Sequence, residues 1–285
     1  LPREDPDMAG IITARLEAEG VRIRTGVSVE RVDPEGDGSR GEVVVSRDGR
    51  EERFAADEIL LAVGRKANVE GLELENAGIE LERGFISTDS KLRTSRKHIY
   101  AIGDCNGRYL FTHVASAEAS VVVRRVALRA GGSMSYRSIP WVTYSDPELA
   151  SVGFNEQRAR EAGLEYRVLK QDFGGNDRAH AEGRTEGVMK LLLDRKEKVI
   201  GAQIAGEHAG ELLSPSLYAV SEGWKVGKLM SPVMPYPTLS EINKKVPSEL
   251  MGGKLFNPRV RSILRLLFRY RGSGDDETHA RDKER

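Results

Sequence analysis

A chain of 285 residues, 39% apolar and 31% charged, has room for two ordinary globular domains. Its 44 Lys and Arg balance 44 Asp and Glu, so no field of one sign argues for nucleic acid as a partner. No apolar run is long enough to span a bilayer, and the polar start Leu1-Pro2-Arg3-Glu4-Asp5-Pro6 has no signal-peptide core.

Met8, Ile11, Ile12 and Leu16 lie at helical spacing, and Gly20 suits the end of that helix. Val21 to Val32 reads as extended segments. Glu42 to Ser46 and Glu51 to Phe54 form an expected hairpin through Asp48-Gly49. Ile59 to Val63 is a short apolar run ending at Gly64, which predicts a strand buried on both faces. Ile86 to Asp89 and His98 to Ile102 are two more expected strands, followed by a helix from about Val114 to Arg129. Ser133 to Ser138 reads as a linker. Beyond it Trp141 to Tyr144, Tyr166 to Lys170, Gly187 to Leu193 and Val199 to Ile204 read as strands. Glu156 to Ala162 and Glu211 to Glu222 read as helices, an α+β grouping. Asn257 to Arg285 begins as a basic helix and ends as a charged tail expected to be disordered.

Gly36-Asp37-Gly38-Ser39-Arg40-Gly41 matches G-x-G-x-x-G literally. A dinucleotide fingerprint needs a helix after the glycines, whereas Glu42-Val43-Val44-Val45 reads as a strand. The segment is therefore expected to be a surface turn.

The local signal with most chemistry is Tyr100-Ala101-Ile102-Gly103-Asp104. An apolar run ends in Gly-Asp, and a helix begins some ten residues on. Ligands of doubly wound sheets bind at the carboxyl ends of strands. There a glycine lets a ligand approach the backbone, and a carboxylate can accept hydrogen bonds from ribityl hydroxyls. Asp104 as a mere turn cap is the competing reading.

Four stretches in order, LLAVGRKAN, HIYAIGDC, SDPELASVGFNE and YPTLSE, together resemble the signatures of the pyridine nucleotide–disulfide oxidoreductases. The resemblance runs from about Leu1 to Lys245. It implies an α/β chain of partial FAD- and NAD(P)-binding Rossmann-like domains joined to an α+β dimerisation domain. On that basis residues 1–66 are expected to be the latter part of the NAD(P)-binding domain and 67–135 the C-terminal part of the FAD-binding domain. Residues 138–250 would be the interface domain of a homodimer, and 251–285 a basic helix and tail. The implied cofactors are FAD and NAD(P)H. Gly64 and Arg65 would lie where the chain crosses to the flavin domain, next to Ala67 where the family usually has Pro. Asp104, beside Gly103, would hold the ribityl chain. Thr112 and His113 would open the helix whose amides face the flavin pyrimidine ring.

Many members place a catalytic His before Pro-Thr and a Glu five residues after it, working on a thiol pair of the other subunit. This chain has Tyr236-Pro237-Thr238-Leu239-Ser240-Glu241. Tyr236 and Glu241 are the candidate catalytic residues. A phenol titrates near ~10 and is a poor base at neutral pH, and His208, distant in sequence, does not replace the imidazole. Tyrosine at this position resembles the mercuric reductases, although their paired-cysteine C-terminus is not matched here.

Cys105 is the one cysteine, which excludes an internal disulfide, a dithiol pair and a four-cysteine metal site. No metal-ligating set is read. Cysteine-poor composition suits a reducing, cytoplasmic setting. The family's Gly-rich loops and Cys-x4-Cys pair are expected upstream of Leu1. The chain is thus read as part of a longer enzyme and expected to be inactive alone. The acceptor would be a small-molecule disulfide or a metal ion. Two alternatives are a non-catalytic dimerisation module and a flavoprotein that reduces quinone or oxygen without a cysteine pair.

Val260, Ile263, Leu264 and Leu267 fall on one helical face, surrounded by Arg259, Arg261, Arg265, Arg269 and Arg271. This face is expected to pack on the chain's own body or on a partner subunit. An anionic membrane surface is the other reading.

Overall fold

The computed structural model describes residues 1–35, 40–255 and 257–268. In chain order these form helix α1 (Pro6–Ala18), strands β1 (Ser28–Glu35), β2 (Arg40–Arg47), β3 (Arg50–Ala56), β4 (Leu81–Glu82) and β5 (Phe85–Ile86), and helix α2 (Thr112–Val126). Then come β6 (Pro140–Thr143), β7 (Glu148–Gly153), α3 (Glu156–Glu161), β8 (Arg167–Asp172), α4 (Asp177–Glu182), β9 (Val188–Leu193) and β10 (Val199–Gly206). Helices α5 (Ala209–Leu212), α6 (Ser214–Glu222), α7 (Gly227–Met230), α8 (Ile242–Leu255) and α9 (Pro258–Phe268) complete the order. Packing gathers them into two compact units, Gly20–Tyr136 and Leu1–Glu19 with Arg137–Arg285. Packing therefore draws the first nineteen residues to the unit that holds 137–285, whereas the family resemblance groups them with residues up to 66.

In the unit 20–136, β1, β2 and β3 form an antiparallel meander. Asp48 and Gly49 both have positive φ, 50° and 76°, the geometry that lets a two-residue turn follow the strand twist. Residues 36–39 of the glycine motif lie outside the described residues. The strand expected after them is present as β2.

Two expected strands are corrected. Ile59 to Val63 is irregular, with Leu60, Leu61 and Val63 exposed to 90%, 80% and 92%. Among the described residues no strand pairs with it, and an apolar run without neighbours has neither hydrogen-bond partners nor a face to bury. His98 to Ile102 makes only the bridge between Tyr100 and Arg93 before the chain tightens into a 3-10 turn, Gly103–Asn106.

The other unit is built on a five-stranded antiparallel sheet in the order β6-β7-β10-β9-β8. Side chains alternate between its faces as the period of two requires. Ala150, Val152, Met189, Leu191, Ala202 and Ile204 join a core closed by residues of α5, α6, α7 and α8. Leu149, Val188 and Ala205 face the other way and meet Met8 and Ile12 of α1.

One cross-strand row on this second face is polar. Register places Trp141 opposite Ser151, Ser151 opposite Gln203, Gln203 opposite Lys190, and Lys190 opposite Lys170. The row meets three carboxylates at the start of α1. Glu4 accepts from Trp141 Nε1, from Ser151 Oγ at 2.7 Å and from Gln203 Nε2 at 2.8 Å. Lys190 Nζ lies 2.9 Å from Asp5, 3.0 Å from Asp7 and 2.6 Å from Glu156, with its side chain 1% exposed. Lys170 reaches Asp7 at 3.5 Å. Asp5 also accepts from the backbone N–H of Glu156 and Gln157, both at 3.2 Å, and so caps α3. Burial alone would lower the Lys190 pKa, but hydrogen bonds to Glu156, Asp5 and Asp7 outweigh it and hold the ammonium above its ordinary range. Burial pushes Asp7 up, and Lys190 then pulls it below the usual carboxylate value.

Helix α9 shows its apolar residues to solvent, with Ile263, Leu266, Leu267 and Phe268 all exposed. Packing of this face on the chain's own described residues is thus corrected. The tail 269–285 lies outside the described residues. No helix among the described residues is long and apolar enough to cross a membrane.

Replacing Lys190 with Met strands Asp5 in a buried site. The expected loss is about 3–5 kcal/mol of unfolding free energy in a urea titration, and a loss under about 1 kcal/mol would mean the cluster carries no net stability. Because the folded pKa of Asp7 is depressed from 3.8, its contribution is present above that value and disappears as pH falls through the folded pKa. Asp7→Asn should flatten the acid limb of the stability curve, and an unaltered limb would count against the pairing.

Candidate functional site

All six expected cofactor residues lie in the unit 20–136, where Arg65 reaches the turn that carries Gly103 and Asp104. The 3-10 turn Gly103–Asn106 follows the Tyr100 bridge, and α2 begins six residues after it. Gly103 has φ 71°, and a Cβ there would lie 3.1 Å from Ala115 Cβ on α2, so glycine allows the turn to sit against the helix. Asp104 is exposed on the turn. Arg65 Nη1 donates to Asp104 Oδ2 at 3.4 Å and to the Leu110 carbonyl at 3.0 Å, tying the segment after Gly64 to the turn and to the approach to α2. Gly64 has φ 135°, a conformation that L side chains rarely adopt. Thr112 is the first residue of α2. Phe111 precedes it with no side-chain cap, and the ring of His113 stacks on Phe111 with centroids 5.2 Å apart. A helix start without a side-chain cap presents its positive dipole end to an anionic or carbonyl-rich ligand.

Sequence reasoning missed the residue that holds this arrangement. Glu118 on α2 is fully buried and accepts from Gly103 N at 2.6 Å, from Asn106 Nδ2 at 2.9 Å and from the Tyr136 hydroxyl. Burial and then this carboxylate push the Tyr136 phenol above its ordinary range. The available signal was an acid at the i+4 position between Val114 and Val121, on the buried stripe of the helix. Cys105 packs beside Leu74, Ile86 and Ala101. Burial pushes its thiol up, which disfavours the reactive thiolate.

Tyr236 and Glu241 lie in the other unit. Tyr236 is exposed, and its hydroxyl donates to Asp177 Oδ2 at 2.9 Å, at the first residue of α4. Asp177 holds the Tyr236 phenol above its ordinary range, chiefly through that hydrogen bond. Glu241 Oε2 is buried and has no hydrogen-bond partner among the described residues. Among the described residues Tyr236 and Glu241 share no hydrogen bond. The phenol turns to Asp177, and the carboxylate that would orient a histidine is left with an orphaned oxygen. Asn176 braces the segment by donating to the carbonyls of Thr238 at 3.1 Å and Leu239 at 3.5 Å while capping α4. Asp177 and Asn176 lie some sixty residues before Tyr236, so no local spacing announces them. His208 Nε2 lies 3.6 Å from a Glu207 carboxylate oxygen.

The carboxylates of Asp5, Asp7 and Glu156 converge closely enough to hold a cation. The Lys190 ammonium already stands among them.

Glu118→Ala would leave three donors without their acceptor. Each buried donor left unmade costs about 1–3 kcal/mol. Thermal unfolding of the variant should fall clearly below wild type, and an unchanged midpoint would show that the turn is held by other means.

Comparison with known proteins accounts for both units. Residues 139–247 match the pyridine nucleotide-disulphide oxidoreductase dimerisation domain, and residues 1–119 match the pyridine nucleotide-disulphide oxidoreductase family model. A dihydrolipoyl dehydrogenase of Thermus scotoductus is 35% identical over 85% of this chain and 52% of its own length. A mercuric reductase of Staphylococcus aureus is 33% identical over 83% of this chain and 43% of its own length. Among solved structures, a copper(II) complex of the HOCl-induced flavoprotein disulfide reductase RclA of Escherichia coli superposes with a TM-score of 0.77 at 28% identity, covering 88% of this chain and 56% of that one. The chain spans about half the length of the relatives it matches. Two family models that together cover most of the chain, with the Gly-Asp turn set against an uncapped helix start, place it in the pyridine nucleotide-disulphide oxidoreductase family.

Proposed function

We propose that this chain supplies the ribityl-holding turn and the dimer-forming domain of a flavoprotein oxidoreductase that passes hydride from NAD(P)H to FAD and on to a disulfide or metal-ion acceptor. The observation that carries the reading is the joining of Arg65, Gly103-Asp104 and the start of α2 in one unit. These residues fit FAD. Asp104 presents an exposed carboxylate for ribityl hydroxyls, Gly103 lets its turn pack against α2, and the start of α2 would turn its positive dipole end to the flavin pyrimidine edge. Bound FAD would supply the two-electron relay between the nicotinamide and the acceptor. The chain's own residues position the cofactor and form a homodimer through the domain 139–247.

Tyr236 bears on the acceptor. With its phenol donating to Asp177, it acts as a hydrogen-bond donor and not as a base at neutral pH. A route that needs proton exchange with a thiol pair is therefore handicapped, which favours a metal-ion or unusual disulfide acceptor over dihydrolipoamide. The copper(II) complex of the E. coli relative is in line with a metal-linked member of this family.

The 285-residue chain alone is expected to give no NADH- or NADPH-dependent reduction of lipoamide, glutathione disulfide or Hg(II) with added FAD; turnover above the blank would overturn the expected inactivity of the chain alone. Expressed with its upstream reading frame, the protein should carry FAD, and Asp104→Ala should lose most of it. Full flavin occupancy in that variant would take Asp104 out of the site. In the same protein Tyr236→His should raise lipoamide reduction by up to about 10²-fold, with Glu241 as the partner of the new imidazole.

A further inference from the structure

We infer that α9 is a docking helix for an anionic lipid surface. At 100° per residue, Val260, Ile263, Leu264, Leu267 and Phe268 share one side of the helix, while Arg261 and Arg265 lie one turn apart on its flank. Ile263, Leu264, Leu267 and Phe268 are 55%, 43%, 69% and 74% exposed. A shallow depression of about 380 Å³ is lined by Arg261, Leu264, Arg265 and Phe268, so two guanidinium groups border an apolar floor. This is the combination that an interfacial helix uses: apolar side chains enter the acyl boundary while arginines stay at the phosphates.

Charge decides between occupants. The chain as a whole is neutral, yet no acidic residue occurs between Glu249 and Asp275, where Lys254 and five arginines lie. A second copy of this face would set arginine against arginine with no local acid to pair them. An 11-residue helix is also only about 16 Å long and cannot by itself supply the roughly 800 Å² per partner of a stable dimer. The helix lies beyond the stretch 139–247 that matches the dimerisation domain. An anionic bilayer satisfies both the apolar side and the arginines. The inference is independent of the oxidoreductase reading, since it concerns neither flavin nor acceptor.

The test is co-sedimentation of the full chain with phosphatidylcholine vesicles and with vesicles of equal phosphatidylcholine and phosphatidylglycerol. Binding is expected to the anionic vesicles alone and to weaken as salt rises. Arg261→Gln with Arg265→Gln should weaken it about 25-fold, at about fivefold per arginine. Leu264→Glu with Leu267→Glu should abolish it. Both pairs are at exposed positions, and circular dichroism and the oligomeric state should not change. Absence of binding, equal binding to both vesicle types, or unchanged binding by the glutamate variant would overturn the proposal. A fall in oligomeric state of the glutamate variant without vesicle binding would assign the face to contacts between copies instead.

Discussion

The Lys190 ammonium buried among Asp5, Asp7 and Glu156 is the interaction on which the larger unit depends. A lysine at the middle of a central strand could not be buried alone, since the charge would cost more than its stem gains. Three carboxylates offset that cost and in doing so draw the start of the chain onto the sheet. Glu4 extends the contact along the same row to Gln203, Ser151 and Trp141, so one line of side chains across the five strands is bonded to one short acidic stretch. Helix α1 then lies where Met8 and Ile12 cover Leu149, Val188 and Ala205. Polar pairing sets the register of this face, and apolar burial supplies the area.

The unit 20–136 repeats the logic on a smaller scale. Glu118 is a buried carboxylate whose partners are a backbone N–H, an amide and a phenol. It ties the glycine of the Gly-Asp turn to the helix that follows. Asp104 is thereby presented outward from a turn whose backbone is fixed from behind. The exposed carboxylate that would meet a ligand is positioned by an acid that would not.

The YPTLSE stretch shows how one substitution redistributes partners. With tyrosine at the imidazole position, the hydroxyl finds Asp177 on α4 and leaves Glu241 with a buried, unmatched oxygen. The loop keeps its backbone bracing through Asn176. Tyr236 and Glu241 thus share no hydrogen bond among the described residues, while the loop that carries them is braced from α4.

Much of this was legible in the sequence. The apolar runs of β9 and β10, the Asp48-Gly49 turn, the strand after the glycine motif and the helical stripe of α1 are local patterns, and local patterns report local structure. The candidate site residues were legible through the resemblance of the Gly-Arg, Gly-Asp, Thr-His and Tyr-Pro-Thr stretches to the family, which contiguous motifs can carry. Tertiary structure alone decided the rest. Ile59 to Val63 reads as a buried strand, yet a strand exists only beside another, and none pairs with it among the described residues. Glu118, Asp177 and Lys190 act on groups between 12 and 185 residues away, and no spacing rule couples such positions. Sequence determined which segments could be helix, strand or turn, because that depends on neighbours along the chain. Which buried charges found partners, and which apolar faces stayed uncovered, depended on neighbours in space.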